Sequence, residues 1–362
     1  MLTRSRLADL YKKLRDTNVL SVYIDGDQTN PADRRAWHTA FEHGLAVERR
    51  RIFEVDPDGL DAFDRASARI VDELETHKAF LPACGWIGFA TDDALHYAEG
   101  VAVPMPDLVR WEFGIRAAPY VRALKQARIV VAALADRRKA RIFTYQNGAL
   151  CEHTDLLADL DHGELHESAA SHRAGMQTGS RGETGSDAGQ RALDVSASRL
   201  HAQVIDEVQR LAGRDGFVVF GGTQDVVTGL ARQADGLEGR VAERPSMHID
   251  MSEPEVLAET EEAASELSLR VQDRTLAQVL DAARSAGRGC LGVKDTTEAL
   301  RNGRVDLLVV TRRLREREAD LVDHLIGAAF DHGAEVEEIA ADVGARLDAE
   351  GEGVAARLRY TV

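Results

Sequence analysis

The sequence predicts an α/β protein of three domains, and three observations carry that prediction. Short apolar runs of strand length alternate with longer segments whose apolar residues recur every three to four positions. Two strand patterns in the middle of the chain are joined by Asn147-Gly148, a pair suited to a tight hairpin. A length of 362 residues is more than one hydrophobic core usually serves. The expected divisions are an N-terminal α/β domain over 1–125, a middle domain over 126–262 and a C-terminal α/β/α domain over 263–362.

The first division opens with a short helix pattern of Leu7, Leu10, Tyr11 and Leu14, followed by an apolar strand from Val19 to Ile24. From Pro31 to Ile52 the residues Trp37, Phe41, Leu45 and Ile52 mark an amphipathic helix. A second, near Gly59 to Ala79, carries Leu60, Phe63, Ile70 and Leu74. Strands are expected at 86–90, 94–97 and 108–113.

The second division begins with an apolar run from Arg128 to Ala135, bounded by Asp136-Arg137-Arg138, and a strand from Ala140 to Tyr145. Asn147-Gly148 then turns the chain into Ala149-Leu150-Cys151; both turn residues need positive φ in the type I′ geometry that suits a two-residue hairpin. A segment from Asp159 to Gln190 follows, with six glycines and almost no large apolar side chains, which reads as a long surface loop. Behind it Leu193, Ala197, Leu200, Val204, Val208 and Leu211 step by three and four, giving a helix that stops at Gly213. A strand from Phe217 to Phe220 and a helix from Gln224 complete the division, with Thr223 as the expected N-cap.

A long helix from Glu253 to Ala286, acidic at its start, bridges to the last division. There the pattern runs strand (289–293), helix (296–301), strand (305–310), helix (319–332, closed by Gly333), strand (335–339) and a final strand (354–360).

Composition narrows the function. No stretch reaches the roughly 18 consecutive apolar residues of a membrane span, and the N-terminus lacks a signal-peptide core, so the chain reads as cytoplasmic with no membrane partner. Cys84, Cys151 and Cys290 are too scattered for a disulfide framework or a structural zinc site. A net charge of −16 disfavours indiscriminate coating of nucleic acid, while leaving room for a docked complex through local basic patches. His162 and His166, with His153 and His172 nearby, have helical spacing but no fixed third ligand, and no metal or cofactor is expected. Gly221-Gly222-Thr223 lacks the Gly-Lys-Ser/Thr of a phosphate loop and reads as a tight strand-to-helix turn. For the basic runs Glu48-Arg49-Arg50-Arg51 and Arg312-Arg313-Leu314-Arg315-Glu316-Arg317, a solvated face and an RNA contact both remain open.

Several passages together resemble the bacterial archaeo-eukaryotic-type peptide chain release factors, the lineage of Pelota, the Vms-type release factors and the hibernation factor Balon. They are Leu20-Ser21-Val22-Tyr23-Ile24-Asp25, the Val130–Phe143 meander, Ala188-Gly189-Gln190-Arg191-Ala192, Phe220-Gly221-Gly222-Thr223, Gly303–Val309 and Val354–Tyr360. The resemblance implies an RNase H-like middle domain and a third domain similar to kink-turn-binding ribosomal proteins. No Asn-Ile-Lys-Ser stretch is present, so codon reading is not implied. The meander carries Arg138, Lys139 and Arg141 where nuclease chemistry would need clustered carboxylates.

In that family a Gly-Gly-Gln tripeptide at the tip of a long loop enters the peptidyl transferase centre and helps water attack the ester of peptidyl-tRNA. The matching positions are Ala188, Gly189 and Gln190, on a loop taken as 159–191. A Cβ at Ala188 is expected to cost about 1 kcal/mol or more if that position needs positive φ. An ordinary surface loop remains the other reading of these residues. Between Arg173 and Arg199 there are four arginines and three acids, 4 − 3 = +1, in a strongly acidic chain. The resemblance therefore implies RNA contacts by Arg173, Arg181, Arg191 and Arg199, and in the last division by Arg312, Arg313 and Arg315. It implies ribosomal RNA and peptidyl-tRNA as partners, leaves a translational GTPase open as a further one, and implies no DNA. Release or rescue by ester hydrolysis on the ribosome and non-catalytic occupation of the A site both stay open.

Overall fold

A computed structural model describes residues 4–26, 36–77, 81, 83–158, 185–285 and 287–360. The chain is a mixed α/β protein with three sheets, divided into two compact units. One unit comprises Met1–Ala127 with Gln272–Val362, and the other Arg128–Val271.

Chain order begins with Arg4–Leu14 (α1), Asn18–Asp25 (β1), Ala36–Val55 (α2), Leu60–Glu75 (α3), Gly85–Ala90 (β2), Leu95–Val101 (β3), Leu108–Phe113 (β4) and Ala118–Gln126 (α4). The four strands form an antiparallel sheet in the order β3-β2-β1-β4, with Leu20 opposite both Ala90 and Trp111. Helices cover both faces, which is why β1 and β2 read as continuous apolar runs. Trp37, Phe41, Ile52, Phe63 and Ile70 of α2 and α3 pack on Leu20, Val22 and Trp86. Leu7, Leu14 and Tyr120 pack on Val19, Tyr23 and Phe89 from the other side.

The exposed rim of this sheet is closed in an unusual way. At the edge strand β4, the buried Glu48 carboxylate accepts the Trp111 N–H at 2.7 Å, and Arg51 donates to the Trp111 carbonyl at 2.7 Å. The two side chains also pair with each other, so one turn of α2 occupies the hydrogen-bonding positions that a further strand would take.

The second unit follows with Val130–Ala135 (β5), Lys139–Gln146 (β6), Ala149–Leu157 (β7), Gly185–Ala212 (α5), Phe217–Gly221 (β8), Gln224–Gln233 (α6), Val241–Arg244 (β9) and the first half of Glu253–Arg284 (α7). Its sheet runs β7-β6-β5-β8-β9; the first three strands are antiparallel, and β8 lies parallel to β5 and β9. Helices α5 and α6 cover one face through Leu200, Val204, Val208, Val227 and Leu230. Val256, Ala263 and Leu267 of α7 cover the other. The hairpin turn is as expected: Asn147 and Gly148 have φ of 53° and 78°, and Gln146 pairs with Ala149. At the β8–α6 turn Gly222 has φ 139°, and a Cβ there would lie 2.2 Å from the Ala135 carbonyl oxygen, so the close approach of backbones requires glycine. Thr223 holds the N-cap position of α6, but its side chain makes no cap hydrogen bond.

The chain returns to the first unit with Gly289–Leu291 (β10), Val293–Arg301 (α8), Val305–Thr311 (β11), Arg312–Arg317 (α9), Ala319–Asp331 (α10), Glu335–Ile339 (β12), Ala341–Gly351 (α11) and Val354–Leu358 (β13). The sheet order is β10-β13-β11-β12, with β11 and β12 parallel. Leu300, Val322 and Ile326 fill one face, and Leu276, Val279, Leu280 and Leu347 the other. An ionic cluster ties this part to the N-terminal sheet. The nearly buried Arg116 guanidinium reaches Glu112, Asp320 and Asp323, the last at 3.0 Å, and Arg122 also pairs with Asp323 at 2.9 Å.

Several expectations change: α4, β9 and α9 stand where no element was expected, and two further differences bear on the site and its fold. Helix α5 begins at Gly185, so the segment read as a loop to residue 191 is helical over its last residues. The apolar repeat in the sequence starts only at Leu193, so the pattern marks the helix from there. Helix α11 was absent from the expected order because Gly344 interrupts its pattern; that glycine sits where a Cβ would come within 2.8 Å of Thr311 Cγ2.

Candidate functional site

The 28-residue helix α5 is anchored at its C-terminal half. Leu200, Val204, Ile205, Val208 and Ala212 pack on Val131, Ala133, Ala140 and Ile142. Ser196 and Ala197 are buried ahead of them, whereas Asp194, Val195, Ser198 and Arg199 are exposed. Ala188, Gly189 and Gln190 precede Ser196, the first buried position among the described side chains, by six to eight residues. At the α-helical rise that is about 9–12 Å along the axis.

The backbone conformation of this segment has chemical consequences. In a helix beginning at Gly185, the regular pattern assigns the N–H groups of Gly189 and Gln190 to the carbonyls of Gly185 and Ser186. In that state neither N–H is available to an oxyanion. Ala188 is in right-handed backbone, so the cost expected for a Cβ at a left-handed position does not arise here. In a helix alanine is favoured over glycine by about 1 kcal/mol.

Beside α5 lies the β5–β6 turn, Asp136-Arg137-Arg138-Lys139. The Asp136 carboxylate accepts the N–H groups of Arg138 and Lys139 at 2.6 and 2.7 Å. The Asp136 carbonyl lies 3.1 Å from His201 Nε2, which ties the turn to α5. Arg137 pairs loosely with Asp194 of α5 at 3.5 Å, both side chains being more than half exposed. The exposed Arg138 guanidinium has no hydrogen-bond or ion-pair partner among the described residues. Sequence reasoning took these arginines as the boundary of a strand, and Arg138 as evidence against nuclease chemistry, but not as a binding site; the usable signal was the Asp-Arg-Arg-Lys run between two apolar strands.

Of the arginines expected to meet RNA, Arg199 is exposed on α5, and Arg191 lies in the same helix with its side chain outside the described set. Arg173 and Arg181 lie outside the described residues, as do His162, His166 and His172. Arg312, Arg313 and Arg315 gather on α9, whose start is capped by Thr311 Oγ1 accepting the Leu314 N–H at 3.1 Å. Each faces an acid: Arg312 and Arg315 approach Glu338 at 3.9 and 3.3 Å, and Arg313 approaches Asp348 at 3.8 Å. In the run at 48–51, Arg49 pairs with Asp64 at 2.9 Å and Arg51 with Glu48, while Arg50 is exposed. Hydrogen bonding to Asp64 and to Glu48 respectively raises the pKa of each guanidinium. His153 Nε2 lies 2.8 Å from Thr144 Oγ1. Among the described residues no group of three or more His, Cys, Asp or Glu side chains could hold a metal ion, and no helix is long and apolar enough to cross a membrane.

Residues 116–265 match the model of bacterial archaeo-eukaryotic release factor family 10, a span that encloses Ala188–Gln190 and the 136–139 turn. Among solved structures, Saccharomyces cerevisiae Dom34, a translation termination-like factor interacting with Hbs1, is similar with 9% identity and a TM-score of 0.43, over 64% of this chain and 63% of that one. Archaeoglobus fulgidus Pelota has 13% identity and a TM-score of 0.38, over 77% and 80% of the two chains. A ribosome-bound archaeal Pelota, described together with ABCE1, has 12% identity and a TM-score of 0.44, over 99% and 95%. No curated protein matches the chain.

Proposed function

We propose that this chain, a member of the bacterial archaeo-eukaryotic release factors through residues 116–265, is a ribosome-associated translation factor of the bacterial cytoplasm. It binds the A site and brings the Ala188-Gly189-Gln190 segment to the ester of peptidyl-tRNA. The observation that carries the reading is the position of this tripeptide: inside the matched span, at the head of a long helix, ahead of the part held by the core. The strand order β7-β6-β5-β8-β9 supports an RNase H-like middle domain, and the four-stranded terminal sheet with helices on both faces supports a domain similar to kink-turn-binding proteins. Arg173, Arg181, Arg191, Arg199, Arg312, Arg313 and Arg315 are the proposed RNA contacts, and a translational GTPase that delivers the protein belongs to the same reading.

In the release mechanism the helix frays back past Gln190 on docking. Gly189, Ser186 and Asp187 are poor helix formers, so opening the first turns costs little. The freed Gly189 N–H stabilises charge developing on the ester oxygen, and Gln190 orients the attacking water, with ribosomal RNA supplying the rest of the site.

Ala188 favours a second reading, in which the helix stays wound and the protein occupies the A site of idle ribosomes without turnover. Sucrose-gradient sedimentation of the tagged protein from growing and starved cells tests A-site association, with co-sedimentation expected and its absence at physiological salt contradicting both readings. Ala188→Gly separates them: faster peptide release per bound molecule supports hydrolysis, and occupancy with no release by either form supports protection.

A further inference from the structure

We propose that the β5–β6 turn is an RNA phosphate-binding site, in which Arg137 and Arg138 grip the backbone of the RNA that α5 approaches. The inference rests on the ribosome-binding reading above and adds to it a contact beside the helix, behind its head. Three features of the turn support it.

First, the turn is pre-formed. Both oxygens through which Asp136 shapes it are engaged, the carboxylate by the N–H groups of Arg138 and Lys139 and the carbonyl by His201. One carboxylate oxygen of the only acid within the turn is thereby committed to its backbone.

Second, its cations are available. Arg138 is exposed and unpaired among the described residues, and Arg137 has only a long, solvent-screened contact with Asp194. Lys139 is paired with Asp155 at 3.3 Å and is left out of the site. Guanidinium groups suit phosphate because their planar donors can bind two oxygens at once.

Third, the turn is fixed to α5 at His201 and lies beside Asp194, which is four residues, about 6 Å, beyond Gln190. An RNA strand held here sets the distance and direction in which the helix head points. Among the described residues of this unit, none of the exposed large hydrophobic ones is aromatic, so the contact reads charge and shape rather than stacked bases.

The test is binding of the full chain to vacant large ribosomal subunits and to free tRNA across a salt series, comparing wild type with Arg137→Gln/Arg138→Gln. Arg210→Gln is the control, because Arg210 is paired with Glu207 near the other end of α5. Thermal unfolding verifies that each variant is folded. The double variant is expected to lose on the order of tenfold in affinity near physiological salt, and to flatten the slope of log affinity against log salt by about 1.4–1.8. A loss on subunits or on tRNA supports the site and identifies which RNA it grips. Wild-type binding with affinity and slope unchanged in the double variant overturns the inference while leaving the ribosome reading in place. A wild-type protein that binds no ribosomal particle overturns both. A loss seen only with polyglutamate, and with neither RNA, assigns the turn to an acidic protein instead and also overturns it.

Discussion

Two arginine-rich segments that look alike in the sequence are used in opposite ways. On α9, Arg312, Arg313 and Arg315 each face a carboxylate brought in from β12 or α11, so much of their charge is answered within the fold. At the β5–β6 turn one oxygen of the neighbouring acid binds backbone N–H groups rather than an arginine, and Arg138 stays open to solvent. The Arg116 cluster lies further along the same scale, with a guanidinium almost wholly withdrawn from water and held by three acids. Available positive charge is therefore decided by distant acids, which net charge and local composition do not register.

The largest effect expected from breaking this comparison is at Arg116. Arg116→Ala leaves the buried Asp323 with Arg122 alone and strips Asp320 of its closest partner. It should destabilise the first unit by about 3–5 kcal/mol, read by urea unfolding of the intact chain, with little effect on the second unit. Glu48→Ala is next. Losing the acceptor of the buried Trp111 N–H and the partner of Arg51 should cost about 1–3 kcal/mol in the same measurement, and should raise self-association through the uncovered β4 edge in sedimentation velocity.

A pH experiment sharpens the contrast. The hydrogen bond from Arg116, opposed by partial burial, holds the Asp320 carboxyl below its ordinary value of 3.8. With the folded value depressed, the contribution to stability is present above 3.8 and is lost as pH falls through the lower folded value. Acid unfolding of the first unit should thus be less steep below that pH in Asp320→Asn than in wild type. The smallest effect is expected on α9: Arg312→Gln/Arg313→Gln/Arg315→Gln should weaken ribosome binding less than Arg137→Gln/Arg138→Gln, by a few-fold in the same salt series.

These contrasts also explain what the sequence made legible. Strands β1, β2, β5 and β8 and the Asn147-Gly148 hairpin were readable because buried strands must be apolar and a two-residue hairpin must place positive φ. The head of α5 was not, since Gly185, Ser186, Asp187 and Gly189 carry no apolar repeat and are poor helix formers. Helix α11 was masked by a glycine kept for close packing on Thr311. At the candidate site, Ala188-Gly189-Gln190 could be found by likeness, but not its helical state. Arg137 and Arg138 were visible as residues, yet which acids would leave them free depends on contacts made only in the fold.

The most direct test of the functional account is single-turnover release of peptide from ribosomes carrying peptidyl-tRNA, with bound factor measured in the same samples. The account predicts that wild type releases peptide and that Gln190→Ala lowers the rate on the order of 100-fold at equal occupancy. Release that is unchanged in Gln190→Ala, with occupancy equal, would contradict it.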